Sequence, residues 1–359
     1  MSKKKSKLML AQEKAESTIK KTNIKINELG NHTADLYNTL NNIQEQFDRI
    51  SNVPIEKRLQ YEELKKVRLH WKQQAEKIET DYKNAVAKNA GKGVAGVGVG
   101  VAIAALGPTA AMGVATTFGV ASTGTAISAL SGAAATNAAL AWLGGGALAA
   151  GGGGMVAGKA LLALAGPIGW AIAGVALLGS GLLFWKAKTE KDRLEDIFTL
   201  IAKRDTKSYE LAIVELNERI TRIQDESDKL KKAIEEIKTF GVDYQLMSEA
   251  QQYSLGTYLN LMVSSTQLLI NPILGLQTKF TEEDYDRFIA IKKCPATNKS
   301  IVVFLANLLY KIELTEKDKK LLWKSFRKNK KMLESLEIKK KEFDYSLIEI
   351  ISKALAFVE

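Results

Sequence analysis

The stretch that decides the fold is Gly151–Trp185, GGGGMVAGKALLALAGPIGWAIAGVALLGSGLLFW, which closes an almost uncharged centre of the chain. Between Gly91 and Trp185 the only charged residues are Lys92 and Lys159, although 25% of all residues in the chain are charged. Both flanks of this centre are rich in charged residues. The composition therefore predicts three parts, with an apolar segment between two polar ones.

Residues 160–185 form an uncharged run that is long enough to cross a bilayer. The run has 26 residues, and a helix needs about 20 to span the hydrocarbon core. Its leucine, isoleucine, valine and phenylalanine side chains contribute together about −5 kcal/mol to insertion, before the opposing contributions of glycine, serine and Pro167. Trp170 and Trp185 suit the membrane–water interface. We expect this segment to insert into a membrane.

Residues 93–158 are less apolar because glycine, alanine, serine and threonine dominate them. Only Val94–Phe118, interrupted by Pro108, approaches the quality of a membrane span. We expect this part to enter a bilayer conditionally and otherwise to fold against its own protein; a tightly packed soluble helical core is the alternative. Two glycine pairs have the spacing that packs membrane helices closely, within a hairpin or between the copies of a homo-oligomer: Gly96 with Gly100, and Gly154 with Gly158.

The flanks carry helical periodicity. Apolar residues recur at intervals of three, four or seven over 26–50, 64–85 and 213–237, with breaks expected at Pro54 and Gly241. The pattern predicts an all-α fold, with long coiled-coil-like arms around a Gly/Ala-rich hydrophobic helical hairpin. The predicted parts are 1–92, 93–185, 186–240 and a C-terminal helical region, 241–359. We expect the arms to form an antiparallel hairpin or bundle, but spacing does not say whether they pair with each other or with another chain.

The C-terminal region reads as further helices. Leu255–Leu269 is apolar around most of its circumference and ends at Pro272, Thr281 resembles a helix N-cap, and Val302–Ile312 is a buried helix or, alternatively, a strand. Lys317–Lys341 holds eleven basic and three acidic residues. We expect it to contact an anionic membrane surface, or else to be a solvated face; nucleic acid is the less favoured partner because no recognised motif is present. The candidate contact residues are Lys319, Lys320, Trp323, Lys324, Arg327, Lys328, Lys330 and Lys331.

The sequence motifs give little support for a catalytic site. Gly153–Lys159 matches the phosphate-loop pattern, but Ala160 stands where that loop needs Ser or Thr, and no strand precedes it. Lys159 is better interpreted as a charge that reaches water or a pore. The chain has two histidines, His32 and His70, both on polar helical stretches. We expect no catalytic site, no cofactor, no metal and no small-molecule substrate.

Charge and the N-terminal residues indicate where the protein acts. The net charge of +11 favours anionic partners such as lipid headgroups. Cys294 is the single cysteine, and the basic N-terminus is followed by no apolar run of signal-peptide length. We expect synthesis in the cytoplasm without a cleaved signal peptide, and association with a membrane that is permanent or follows a trigger.

Helical arms around a Gly/Ala-rich apolar hairpin resemble the architecture of α-helical pore-forming toxins and of colicin-like or apolipoprotein-L-like membrane-active proteins. The stretch AAATNAALAWLGGGALAAGGGGMVAGKALLA is also similar to glycine-zipper segments of bacterial proteins. The resemblance implies a non-enzymatic protein that inserts its apolar block, oligomerises and permeabilises a bilayer, as a toxin or an antiphage-defence effector. Two alternatives remain: a membrane-anchored coiled-coil scaffold that recruits a partner or nucleic acid through its basic C-terminal helices, and a soluble structural bundle.

Overall fold

The computed structural model describes residues 6–90, 108–118, 187–277, 279–292, 299–328, 340 and 343–358. Over these ranges the chain forms α-helices and short 3-10 turns, with no β-strand, so the predicted all-α class is confirmed. The 3-10 turns lie at Tyr244–Leu246 and Leu274–Leu276. The helices are α1 (Lys7–Asp48), α2 (Ile55–Ala90), α3 (Pro108–Phe118), α4 (Lys188–Ile237), α5 (Glu249–Ile270), α6 (Glu282–Lys292), α7 (Lys299–Leu309), α8 (Glu316–Lys328) and α9 (Ser346–Val358).

Local signals set several helix ends. The α1–α2 turn contains Pro54, and α5 stops at Ile270, two residues before Pro272. The α6 helix begins after Thr281, whose Oγ accepts from the backbone N–H of Asp284 at 3.0 Å while the Asp284 carboxylate accepts from Thr281 N–H at 2.9 Å. Two unpaired N–H groups of the first turn are satisfied in this way. The sequence allowed either a helix or a strand over residues 302–312. In the structure this segment is helical up to Leu309, as part of α7.

The first core is a bundle of α1, α2, α3, α5 and the C-terminal part of α4. The α1 residues Ile26, Leu29, Leu36, Leu40 and Ile43 are fully buried in it. Their steps of three, four and seven keep one face of the helix against its neighbours. The α2 helix returns antiparallel to α1, as expected for consecutive helices joined by a short turn.

The α1 and α4 helices run parallel, so the expectation of antiparallel arms is wrong for this pair. An ion pair joins Lys14, near the start of α1, to Glu210, near the middle of α4, at 2.9 Å. Another joins Asp35 to Lys231 at 3.0 Å further along both helices. At the far end, Ser51 N–H donates to Val242 O at 2.8 Å. Residue numbers therefore rise together along the two helices.

The second core joins the first turns of α1 and α4 to α6, α7, α8 and α9. In the predicted C-terminal region, 241–359, α5 packs into the first core and the later helices pack into the second. The guanidinium of Arg204 in α4 donates to the carbonyl oxygens of Leu308 and Tyr310 at the end of α7. This contact supplies partners for carbonyl groups that a helix end leaves unpaired.

In the ranges that the structure describes, one helical segment, Glu249–Leu276, is long and apolar enough to cross a membrane. Within the fold this segment is α5 and its following turn, and 56% of its most apolar window is buried. Because the core helix of a soluble bundle has the same properties, α5 gives only weak evidence of membrane association. The predicted span at 160–185 lies outside the described residues.

Candidate functional site

The α3 helix is the part of the central apolar block that the structure describes. Its sequence, PTAAMGVATTF, carries no charge, and it packs against α1, α2 and α5. Five of its apolar side chains, Ala110, Ala111, Met112, Val114 and Ala115, are each less than a tenth exposed. The arms thus shield an apolar segment of the block from water.

The α1 and α3 backbones touch where two glycines meet. A Cβ atom on Gly113 would lie 2.1 Å from Ile26 O and 3.1 Å from Gly30 Cα. A Cβ on Gly30 would lie 2.0 Å from Thr109 O. All of these neighbours are backbone atoms, which cannot rotate away as a side chain can. Only glycine fits at either position, and this close crossing fixes where α3 sits on α1.

Threonines give this interface a partly polar character. Thr22 and Thr33 of α1 and Thr116 and Thr117 of α3 are fully buried. The Thr117 hydroxyl donates to Gly113 O at 2.7 Å within its own helix, while the Thr116 hydroxyl has no hydrogen-bond partner in the part of the chain that the structure describes. Small side chains remove less apolar surface from water than leucine or isoleucine do. Close backbone packing, rather than large apolar side chains, therefore characterises this contact.

Residues 271–277, which follow α5 and which we call the strap, contact the end of α3. The Ile273 N–H donates to Thr117 O at 2.7 Å, which satisfies a carbonyl of the last α3 turn. The next residues reach α4, where Glu215 accepts from Gly275 N–H at 3.1 Å. The strap thus links α3, α4 and α5. Release of α3 from the bundle requires loss of the hydrogen bond between Ile273 and Thr117.

Arg68 lies in the first core beside Gln44 of α1, nearer to the α1–α2 turn than the glycine contact is. It occupies a core position of α2, in the heptad run Tyr61, Leu64, Arg68, Trp71, Ala75 and Ile78, and it is 1% exposed. Its guanidinium donates to Gln44 Oε1, while its Nε and Nη1 atoms have no hydrogen-bond partner among the described residues. Burial lowers the pKa of Arg68, yet an arginine stays charged in a protein.

The carboxylate next to Arg68 has other partners. Asp48 accepts from Lys65 Nζ at 2.6 Å and from the Tyr61 hydroxyl at 2.8 Å. Burial, with the hydrogen bond to Asp48, raises the pKa of Tyr61 well above its usual range, so Tyr61 stays a donor. No described carboxylate forms an ion pair with Arg68, and the first core therefore contains an unpaired positive charge.

The side chains of the basic helix α8 differ in their contacts and in their exposure. Lys319 pairs with Glu316 at 2.7 Å, and Lys320, Lys324 and Lys328 are exposed. The Trp323 Nε1–H donates to Phe343 O at 3.2 Å, and the Arg327 guanidinium stacks 5.2 Å from the Trp323 ring centre. Two of the candidate anion contacts, Trp323 and Arg327, thus contact the fold itself. Lys330 and Lys331 lie outside the described residues.

Of the residues predicted for membrane insertion and helix packing, the structure describes only Pro108. It is exposed and is the first residue of α3, a position where the missing N–H of proline removes no helical hydrogen bond. The glycine crossing at Gly30 and Gly113 was not predicted, although Gly30 is the one glycine between residues 1 and 90. The residues outside the description are Gly96, Gly100, Gly154, Gly158, Lys159, Pro167, Trp170 and Trp185.

In the part of the chain that the structure describes, no three His, Cys, Asp or Glu side chains are grouped as a metal site would require. A cavity of about 440 Å³ lies at the far end of the bundle, between the α1–α2 turn and the start of α5. The Lys57 ammonium donates to the Tyr244 hydroxyl at 3.0 Å in its lining. No protein-family model, curated protein or solved structure matches the chain.

Proposed function

We propose that this chain is a non-enzymatic membrane-active protein that inserts its central apolar block into an anionic bilayer, oligomerises and permeabilises the bilayer, as a toxin or an antiphage-defence effector. The observation that carries the proposal is α3. This uncharged helix of the block is buried between the arms through a backbone contact of Gly30 with Gly113.

The physical argument compares the two surroundings of α3. In water its apolar side chains need the arms, because exposing them is unfavourable. In a bilayer the lipid tails shield the same side chains as well as the arms do, so the hydrophobic gain of packing α3 in the bundle disappears. What remains to hold α3 is the close glycine contact and the strap at Ile273. A membrane therefore favours release of this helix.

The test is dye release from vesicles that contain anionic lipid, with wash-resistant sedimentation of the same vesicles. The variant is Gly113→Ala, whose Cβ would collide with Ile26 O in the folded bundle. We expect it to weaken the hold on α3 and to speed release several-fold. The matched control is Gly256→Ala in α5, whose Cβ meets only the flexible Lys57 Nζ, at 3.6 Å; its release should equal that of the wild type.

Each outcome decides between the candidates. Equal release by Gly113→Ala and the wild type, with circular dichroism that confirms a helical fold and a lowered thermal midpoint, would refute the role of α3. Wash-resistant binding without release by any of the three proteins would favour the membrane-anchored scaffold. Absence of vesicle binding would leave a soluble bundle in which the block is core. Should Gly113→Ala fail to fold, Gly30→Ala tests the same contact.

A further inference from the structure

One side of α8 presents a row of lysines to solvent. Lys317, Lys320 and Lys324 are all exposed, and their steps of three and four residues place them within about 60° around the helix axis. We call these three residues the lysine face. Leu322 and Phe326 on the opposite side of α8 are fully buried in the second core. Glu316 attracts Lys320 at longer range, but among the described residues no carboxylate forms an ion pair with the lysine face.

The lysine face lies at the end of the molecule where the apolar block rejoins the fold. Arg193 of α4 donates to both carboxylate oxygens of Asp318 in the first turn of α8, each at 2.7 Å. Arg193 is five residues, or about 8 Å of helix, from Lys188, where α4 begins. The apolar block ends at Trp185, just before that point. The bidentate ion pair therefore fixes α8 beside the start of α4.

We propose that the lysine face docks the protein on anionic lipid headgroups and thereby brings the start of α4, with the end of the apolar block, to the bilayer surface. This inference rests on the proposed function, and it assigns the first contact with the membrane to α8. Lipid fits better than nucleic acid because both aromatic side chains of α8 contact the fold: Phe326 is fully buried, and Trp323 has partners within the protein. The Trp323 indole N–H donates to Phe343 O, and its ring lies edge-on to Tyr345. The Trp323 ring is therefore not free to stack on a nucleic-acid base.

The expected size of the effect follows from surface electrostatics. A lysine close to an anionic leaflet raises binding about fivefold, and the attraction falls off within a Debye length of about 8 Å. Neutralising three lysines should therefore weaken binding about a hundredfold, and reversing their charge should weaken it further. Because the three side chains are exposed, the exchange removes no buried contact of the second core.

The experiment compares two charge-matched triple variants of the full chain by cosedimentation with phosphatidylcholine vesicles, with and without phosphatidylserine. The first is Lys317→Glu, Lys320→Glu and Lys324→Glu. The control, with the same change of net charge at the far end of the bundle, is Arg49→Glu, Arg58→Glu and Lys232→Glu; these side chains are also exposed. We expect the first variant alone to lose binding to phosphatidylserine vesicles, by about a hundredfold or more.

The outcomes separate this inference from the proposed function. Equal losses by both variants would attribute binding to net charge and overturn the assignment, as would retained binding by the lysine-face variant. Loss of affinity for a single-stranded RNA homopolymer, with vesicle binding unchanged, would assign the face to nucleic acid instead. A wild type that binds through the lysine face but releases no dye would refute permeabilisation and leave the docking surface standing. Thermal melts of both variants show whether the fold is kept.

Discussion

Replacement of Arg68 by methionine should stabilise the protein. The guanidinium is 1% exposed, donates to Gln44 Oε1 and leaves its Nε and Nη1 atoms without partners. The hydrogen bond to Gln44 returns about 1.5–3 kcal/mol, while burial of an unpaired ion costs several kcal/mol. Methionine has a similar length, no charge and the flexibility to fill the space that the guanidinium leaves.

The expected gain is about 2 kcal/mol, which is similar to the 1–4 kcal/mol gained in cases where apolar residues replace buried ion pairs. For a unit of 150–250 residues this corresponds to a rise of about 5 °C in the thermal midpoint. Circular dichroism melts and urea titrations measure both quantities. The control is Arg68→Lys, which keeps the positive charge but is too short to make the hydrogen bond to Gln44. It should therefore lower the thermal midpoint.

A lowered thermal midpoint for Arg68→Met would refute this reasoning. It would mean that the guanidinium makes stabilising interactions in addition to its hydrogen bond with Gln44. A raised midpoint has a functional consequence. If the bundle opens to free α3, the more stable variant should release vesicle dye more slowly than the wild type at equal vesicle binding. The unpaired charge at Arg68 would then lower the barrier to opening.

Two further predictions concern α4. Burial raises the pKa of Asp205 to about 6, against the opposing effect of Arg204. Its contribution to stability, at most ~3 kcal/mol, is therefore complete below pH ~4 and is lost as the pH rises through 6. About half of it is lost between pH 5 and 7.5, and Asp205→Asn should remove this difference in urea titrations at the two pH values. Hydrogen bonds from Arg193 hold the pKa of Asp318 well below its usual range, so Asp318→Asn should lower stability by ~2 kcal/mol at pH 7, and the difference should vanish only in strong acid.

Short-range signals explain which parts of the fold could be predicted from the sequence. Pro54, Pro272 and the Thr281–Asp284 cap act on adjacent backbone groups, so the helix boundaries near them follow from a few residues. The heptads of α1 likewise follow from local spacing, since the same face repeats whatever its neighbour is. The direction of α4 relative to α1 does not follow, because a heptad pattern fits a parallel and an antiparallel neighbour equally well. That direction depends on the path of the chain between the two helices.

The site was harder to predict because its residues break the usual rules of composition. Arg68 has the spacing of a core residue but the chemistry of a surface residue, and spacing decides its position in α2. Gly30 is unfavourable inside a helix, and only the partner backbone at Gly113 explains it. On α8, composition alone could not separate the lysines that face solvent from Trp323 and Arg327, which contact the fold.

Pro108 distinguishes the folded state of α3 from its inserted state. With 11 residues α3 is about 16 Å long, half of the ~30 Å hydrocarbon core, so a span must include preceding residues, as in the predicted stretch Val94–Phe118. Pro108 is then inside a helix, where it costs about 3 kcal/mol, whereas at the start of α3 it costs nothing. Pro108→Ala should therefore raise the wash-resistant fraction on anionic vesicles and leave the thermal midpoint unchanged. Thr109→Ala, the control, should alter neither, and an unchanged fraction for Pro108→Ala would mean that α3 does not extend through residue 108 in the membrane.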